Sequence, residues 1–240
     1  MSLPNEKTLH KLQFYVTTPY KCGYLPNKLA QSLIASPQHL IDANIYNGLI
    51  SQGFRRSGKF AYRPHCENCR ACVAVRLILS EFSPTRSQKR AYRQHGDLTA
   101  QILPLRYNPA HFLLYSNYQS LRHYDETAFE TKDDEEQYRQ FLCQSNVESL
   151  MIEFKDANNE VKIVSVVDIV QDGISAVYTF YDAIESQASF GTYSIMWLAE
   201  WTKRLNLPYL YLGYWIEESK KMAYKQAFNP QEKLIDGEWV

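Results

Sequence analysis

The stretch from Glu148 to Tyr181 constrains the fold most, because it holds three apolar segments separated only by short polar turns. The segments are Glu148–Phe154, Val161–Val170 and Ile174–Tyr181, and the turns are Asn158-Asn159 and Gln171-Asp172-Gly173. Connections this short join antiparallel neighbours, since a parallel crossover needs a dozen residues or more. A three-stranded antiparallel unit is therefore expected at the centre of the chain. Before it the patterning predicts a strand over Leu98–Leu105 and helices over about Pro109–Tyr124 and Asp133–Gln144. After it come a helix over Tyr193–Leu205, opened by Gly191-Thr192, a buried strand over Tyr209–Leu212 and a short helix around Glu217–Gln226. Nearer the amino terminus, strands are expected at Leu12–Thr17, Lys59–Arg63 and Val73–Leu79. Helices are expected at Asp42–Gln52, ended by Gly53, and at Arg86–Gln94.

The order from Leu98 onward is similar to that of the GCN5-related acyltransferase fold. It implies an α+β class, with a smaller basic α+β region in front. Users of acetyl-CoA with this fold carry several glycines between the fourth strand and the next helix, so that backbone N–H groups can cradle the pyrophosphate. Here the connection Ile184 to Thr192 has a single glycine, Gly191. CoA is therefore not the expected donor.

Charge divides the chain where its sum conceals it. Net charge is zero, yet residues 1–96 hold 14 Lys and Arg against 4 Asp and Glu, and residues 97–240 hold 12 against 22. Polyanion binding depends on where positive charge sits, so residues 1–96 are a candidate polyanion-binding region, in front of the acyltransferase-like region 97–240. The two halves attracting each other is the alternative. No run approaches the roughly 20 apolar residues of a membrane span, and the amino terminus lacks a basic start followed by an apolar run. Three of the five cysteines crowd between Cys66 and Cys72, unlike a secreted disulfide framework. The expected location is the cytoplasm, with no membrane partner.

Three motifs stand out. The first is Cys22-Gly23-Tyr24-Leu25-Pro26. The second is Gly53-Phe54-Arg55-Arg56-Ser57-Gly58-Lys59, continuing through Tyr62-Arg63-Pro64 to Val75-Arg76. The third is Leu212-Gly213-Tyr214-Trp215-Ile216, continuing through Ser219 to Lys225. Together they resemble the arginyl/leucyl-tRNA–protein transferase family over nearly the whole chain. Cys-Gly-Tyr-Leu-Pro and the compact length match its bacterial branch, which takes leucine from leucyl-tRNA and joins it to an amino-terminal Asp or Glu, marking the acceptor for degradation in the N-degron pathway. Arginine as the transferred residue, or a small-molecule N-acyltransferase of the same fold, are the alternatives.

The residues also argue for themselves. Arg55, Arg56, Lys59 and Arg63 lie among Phe54, Phe60 and Tyr62, a mixture that suits phosphates and unpaired bases. Arg86, Lys89, Arg90 and Arg93 recur at helical spacing and would track phosphates. These eight cations are the candidate tRNA contacts. Cys66, Cys69 and Cys72 form two overlapping Cys-x-x-Cys spacings, which with Cys22 or His65 could ligate zinc or an iron–sulfur cluster. Reduced structural thiols fit the spacing equally well. Eukaryotic relatives are associated with a cluster, but Leu25 and Arg70 stand where two of their cysteines would be.

An aminoacyl ester is already activated, so transfer requires no cofactor. The site must align amine and ester, stabilise an oxyanion and route a proton. The fold implies chemistry where the fourth and fifth strands splay, near Tyr178, Phe180, Tyr181, Gly191, Thr192, Tyr193, Ser194, Tyr214 and Trp215. Asp168, a carboxylate in a strongly apolar strand, and Tyr181 are the candidate catalytic groups. Asp168 as the structural partner of a cation is the alternative. An acidic acceptor terminus needs a cation opposite it, for which Arg76 is the first choice and Lys225 the second.

Overall fold

A computed structural model describes residues 12–122, 135–184, 188–219 and 221–240. The expected helix end at Tyr124, helix start at Asp133, part of the 184–192 connection and Lys220 of the third motif lie outside the described residues.

The amino-terminal region contributes β1 (Gln13–Val16), β2 (Tyr20–Lys21), β3 (Leu29–Ala30), β4 (Ser32–Ser36), α1 (Ala43–Ser51), β5 (Arg55–Ser57), β6 (Phe60–Pro64), β7 (Val73–Ile78) and α2 (Arg86–Gln94). Then come β8 (Thr99–Pro104), α3 (Pro109–Arg122), α4 (Glu135–Leu142), β9 (Ser149–Lys155), β10 (Val161–Val170), β11 (Gly173–Tyr181), α5 (Phe190–Arg204), β12 (Tyr209–Trp215), β13 (Gln231–Ile235) and β14 (Glu238–Trp239). The strand, two-helix, three-strand, helix, strand order expected for the GCN5-related fold is present, in a mixed α/β architecture.

An eight-stranded sheet runs β14-β13-β7-β12-β11-β10-β9-β8. Every pairing in it is antiparallel except β11 with β12, which is parallel and limited to Gly173–Ser175 against Tyr209–Tyr211. The two strands part beyond Ser175 and Tyr211, and that divergence makes the functional cleft. The basic half is not set apart from this sheet, because β7 pairs with β12 on one side and β13 on the other. A second sheet, β1-β4-β6-β5, and the β2–β3 hairpin belong to the amino-terminal region.

Local chemistry explains most element ends. Asp42 caps α1 by accepting from Ile45 N at 2.9 Å. Thr85 and Gln88 form a capping box on α2. Helix α5 buries Phe190, Ser194, Leu198 and Thr202 at four-residue spacing, together with Ile195 and Ala199. It begins at Phe190, ahead of the expected start, because that ring is itself anchored in the core with Tyr193, Phe154 and Ile163. The opposite face of the sheet carries a second core, in which Tyr115, Tyr138 and Leu142 meet Val164, Val166 and Phe180. Strand β12 runs on to Trp215, longer than expected, and the short helix expected near Glu217–Gln226 is a 3-10 turn over Ala223–Ala227.

Candidate active site

Where β11 and β12 separate, a cleft of about 1010 Å³ opens. Its walls are the β2–β3 hairpin, β5 and β6, the cysteine segment, the inner positions of β11, the first turns of α5, β12 beyond Leu212, and residues 221–225. Nothing local in the sequence joins these segments; the sheet does.

The cleft brings together many of the expected residues. Tyr178, Tyr181, Gly191, Thr192, Ser194, Tyr214 and Lys225 all line it. A Cβ placed on Gly191 would sit 3.7 Å from the Tyr181 ring, so the start of α5 and that tyrosine face each other closely. The Gly191 N–H, in the first turn of the helix, supplies partial positive charge that suits a developing oxyanion, whereas the Thr192 and Tyr193 N–H groups already donate to Ser189 O, each at 3.0 Å. Burial holds the Tyr62 and Tyr214 hydroxyls above the usual tyrosine range, with the Arg55 charge pulling the other way.

Four expected residues are elsewhere. Phe180 turns to the opposite core, in edge contact with Tyr115. Tyr193 packs under α2 against Tyr92 and Phe154. Trp215 points into the main core, where the Lys233 ammonium lies 4.3 Å from its ring. Arg76 does not line the cleft and is already engaged: its Nε donates to Glu232 at 2.6 Å, its Nη1 to the Tyr211 hydroxyl at 3.0 Å, and its guanidinium lies 3.6 Å from the Tyr209 ring centre. A cation so compensated and so placed does not face the cleft.

Asp168 also requires correction. It is fully buried, is not on the cleft wall, and accepts from Arg56 Nε at 2.9 and 3.0 Å and from Ser149 Oγ at 2.6 Å. Burial raises its pKa, and the Arg56 charge opposes that rise. It anchors Arg56 and touches no space a substrate could enter. Arg56, expected on the RNA-facing surface, is likewise buried, and its Nη1 donates to the carbonyls of Gly58 and Gln144, both at 3.0 Å.

Arg55 behaves differently from its neighbour. Both arginines are 5 % exposed and border the cleft, but Arg55 has no carboxylate partner among the described residues. Its Nη1 donates to Phe54 O at 3.1 Å, while its Nε and Nη2 have no partner. Lys225 is next to it: the ammonium donates to Tyr214 O at 2.6 Å, and burial, reinforced by the Arg55 charge, lowers its pKa to about 7. Gly213 makes room for both at φ +79°, where an added Cβ would stand 3.7 Å from Lys225 Nζ and 3.9 Å from Arg55 Nε. Ser175, which the sequence reading missed, lines the same space with a buried, unpartnered hydroxyl. Its only signal was polarity within an apolar strand, and alternation alone cannot say which face such a residue takes.

Of the other basic candidates, Lys59, Arg86, Lys89, Arg90 and Arg93 are exposed, and Arg63 lies over the Phe54 ring at 5.1 Å. Cys22, Cys66, Cys69 and Cys72 all border the cleft as free, half-buried thiols. Leu25 N donates to Cys22 Sγ at 3.4 Å and Cys66 Sγ to Gln31 O at 3.8 Å, so they tie the hairpin to the wall. Burial, followed by the nearby Cys66, Cys22 and Cys69, pushes the Cys72 thiol up to about 12. Among the described residues no three His, Cys, Asp or Glu side chains are grouped to hold a metal ion, and no step below runs through one.

A splayed parallel strand pair, a helix start aimed at the gap and a deep cleft define a GCN5-type acyltransferase. Comparison with known proteins specifies the kind. Residues 20–90 match the N terminus, and residues 110–235 the C terminus, of arginine-tRNA-protein transferase. The chain belongs to this family, a family of enzymes that transfer an aminoacyl group from tRNA to protein. It is 64% identical to the aspartate/glutamate leucyltransferase of Methylobacillus flagellatus over 100% of this chain and 95% of that one. The protein of the same name from Polynucleobacter asymbioticus is 51% identical, over 100% and 98%. Among solved structures, L-PGS from Bacillus licheniformis aligns with a TM-score of 0.46 at 12% identity, covering 61% of this chain and 46% of that one. Among the described residues no helix is long and apolar enough to cross a membrane.

Proposed function

We propose that this protein transfers leucine from leucyl-tRNA to the amino-terminal Asp or Glu of other proteins in the cytoplasm, marking them for degradation. The observation that carries the reading is full-length similarity to relatives named for that activity, at 64% and 51% identity, joined to a cleft in which two buried cations, Arg55 and Lys225, lack carboxylate partners among the described residues.

In the reaction the neutral α-amine of the acceptor attacks the ester carbonyl of the aminoacyl-tRNA. A C–N bond forms, the ester C–O bond breaks, and the amine proton goes to the departing ribose oxygen. An α-amine with a pKa of about 7.7–8.0 is partly neutral at cellular pH, so alignment and oxyanion stabilisation are the main demands. In this reading the start of α5, at Gly191, stabilises the oxyanion, and Tyr181 opposite it steers the proton. The apolar part of the cleft, with Ile195, Leu198 and Ile216, takes the leucine side chain. The exposed cations of α2, with Lys59 and Arg63, meet tRNA phosphates. No cofactor or CoA takes part.

Transfer from leucyl- and arginyl-tRNA, measured in parallel on Asp-, Glu-, Asn- and Gln-initiated peptides, tests the reading. Leucine should move to the acidic peptides, and greater transfer of arginine would overturn it.

A further inference from the structure

We infer that Arg55, Lys225 and Ser175 form the socket that reads the side-chain carboxylate of the acceptor's first residue. This rests on the proposed function, whose acceptor begins with Asp or Glu.

Compensation is the first argument. A buried cation is normally paired, because leaving it alone carries the full desolvation penalty. At the very next residue the rule holds, with Arg56 closed onto Asp168. Among the described residues Arg55 and Lys225 have no carboxylate partner, although Arg55 is 5 % and Lys225 7 % exposed. Both look into the cleft. A missing negative charge is what an acidic substrate would supply.

Geometry is the second argument. The two free atoms of Arg55, Nε and Nη2, are on one edge of the guanidinium, the fork that receives both oxygens of a carboxylate. Its Nη1 is committed to Phe54 O, and the guanidinium carbon packs 5.4 and 5.8 Å from the ring centres of Tyr211 and Tyr214. The fork therefore has a fixed aim. Lys225 Nζ and Arg55 Nε both lie within 4 Å of where a Cβ on Gly213 would stand, and Ser175, at the last position of β11 paired with β12, opposite Tyr211, lines the same cleft. Together they offer a planar anion two parallel N–H donors, an ammonium and a hydroxyl. A phosphate of the tRNA end would instead be met by exposed cations such as those of α2, which need not be desolvated.

The neutral amides Asn and Gln place an NH₂ group where the socket has only cationic donors and a single hydroxyl. Rejection should therefore be strong, on the order of a hundredfold in kcat/KM, since a lost charge-assisted pair leaves buried cations unmatched.

The full-length protein is assayed with leucyl-tRNA and peptides beginning with Asp, Glu, Asn or Gln, and its tRNA affinity is measured separately by filter binding. Arg55→Gln should bring the Asp-to-Asn ratio of kcat/KM to within about tenfold of unity, chiefly through KM for the acidic peptide, with Arg55→Lys restoring part of it. Ser175→Ala, a small change that keeps the strand, should lower the ratio several-fold and decides the matter if Arg55→Gln does not fold. Leucyl-tRNA affinity should change less than about threefold in both. An unchanged ratio in Arg55→Gln or Ser175→Ala, or a loss of tRNA affinity with the ratio retained, overturns the socket; the latter assigns Arg55 to a phosphate. Calorimetric titration of the Asp- and Asn-initiated peptides into wild type and Ser175→Ala reads the socket without transfer. A failure of leucine transfer to every peptide would thus count against the proposed function, while equal affinity for the two peptides would count against the socket.

Discussion

Tyr211 has an arginine at either end, and the two ends could hardly differ more. On one side Arg76 is enclosed by Glu232, Asp172, the Tyr211 hydroxyl and the rings of Tyr209 and Trp239, the last 4.4 Å away. On the other side Arg55 lies over the Tyr211 ring with two free donors and no carboxylate. Both are basic, both belong to the same motif and both are nearly buried. What distinguishes a structural cation from one available to a ligand is whether the protein has already neutralised it.

The sharpest way to break this comparison sets Arg56 against Arg55. Arg56→Met strands Asp168, a fully buried carboxylate, and should lower unfolding free energy by about 3–5 kcal/mol in urea titrations. Arg55→Met removes an unmatched cation and should leave stability within about 1 kcal/mol, while abolishing preference for acidic acceptors. Equal destabilisation by the two would mean that Arg55 is structurally paired after all.

The next effect is set by pH. Lys225 has its folded-state pKa lowered to about 7, from an ordinary 10.5. Below about 7 it is protonated in both states and penalised in the folded one; above 10.5 it is neutral in both and carries no penalty. Wild-type stability should therefore rise, relative to Lys225→Met, as pH climbs through that window. A difference between the two proteins that is flat with pH would refute the buried-cation account of this lysine.

Smaller again is Arg76→Gln, because Asp172 and Glu232 are partly exposed and can rehydrate. A loss of about 1–2 kcal/mol is expected, with acceptor preference intact. Lost discrimination at normal stability would return Arg76 to the site.

The least change in stability, within about 0.5 kcal/mol, should follow Arg90→Ala or Arg93→Ala on the exposed face of α2. If these residues meet tRNA, each substitution should reduce the salt slope of binding by roughly one. An unchanged slope would remove α2 from the interface.

Much of the architecture was legible because it is local. The Thr85–Gln88 capping box, Asp42 before α1 and the short turns at Asn158-Asn159 and Gln171-Asp172-Gly173 each act over a few residues. The short strands β4, β5, β13 and β14 were not anticipated, since two to five residues give little periodicity and their partners are distant. The site was legible in part. Tyr178, Tyr181, Gly191, Tyr214 and Lys225 do share one cleft, whereas Phe180 and Trp215, each next to one of these, and Tyr193 in α5 face other cores. Adjacent residues of a strand take opposite faces, so a motif names a neighbourhood and not a wall.

The sequence by itself determined the family, the order of the main elements from Thr99 to Trp215 and the segregation of positive charge into the first 96 residues. Those are properties of local pattern and of composition along the chain. Only the tertiary structure decided which charges are free. Arg56 meets Asp168 across 112 positions and Arg76 meets Glu232 across 156, while Arg55 and Lys225, 170 apart, converge on one cleft without a carboxylate among the described residues. Neutralisation depends on distances of a few ångströms and on exclusion of water, and both exist only once the strands have been brought side by side.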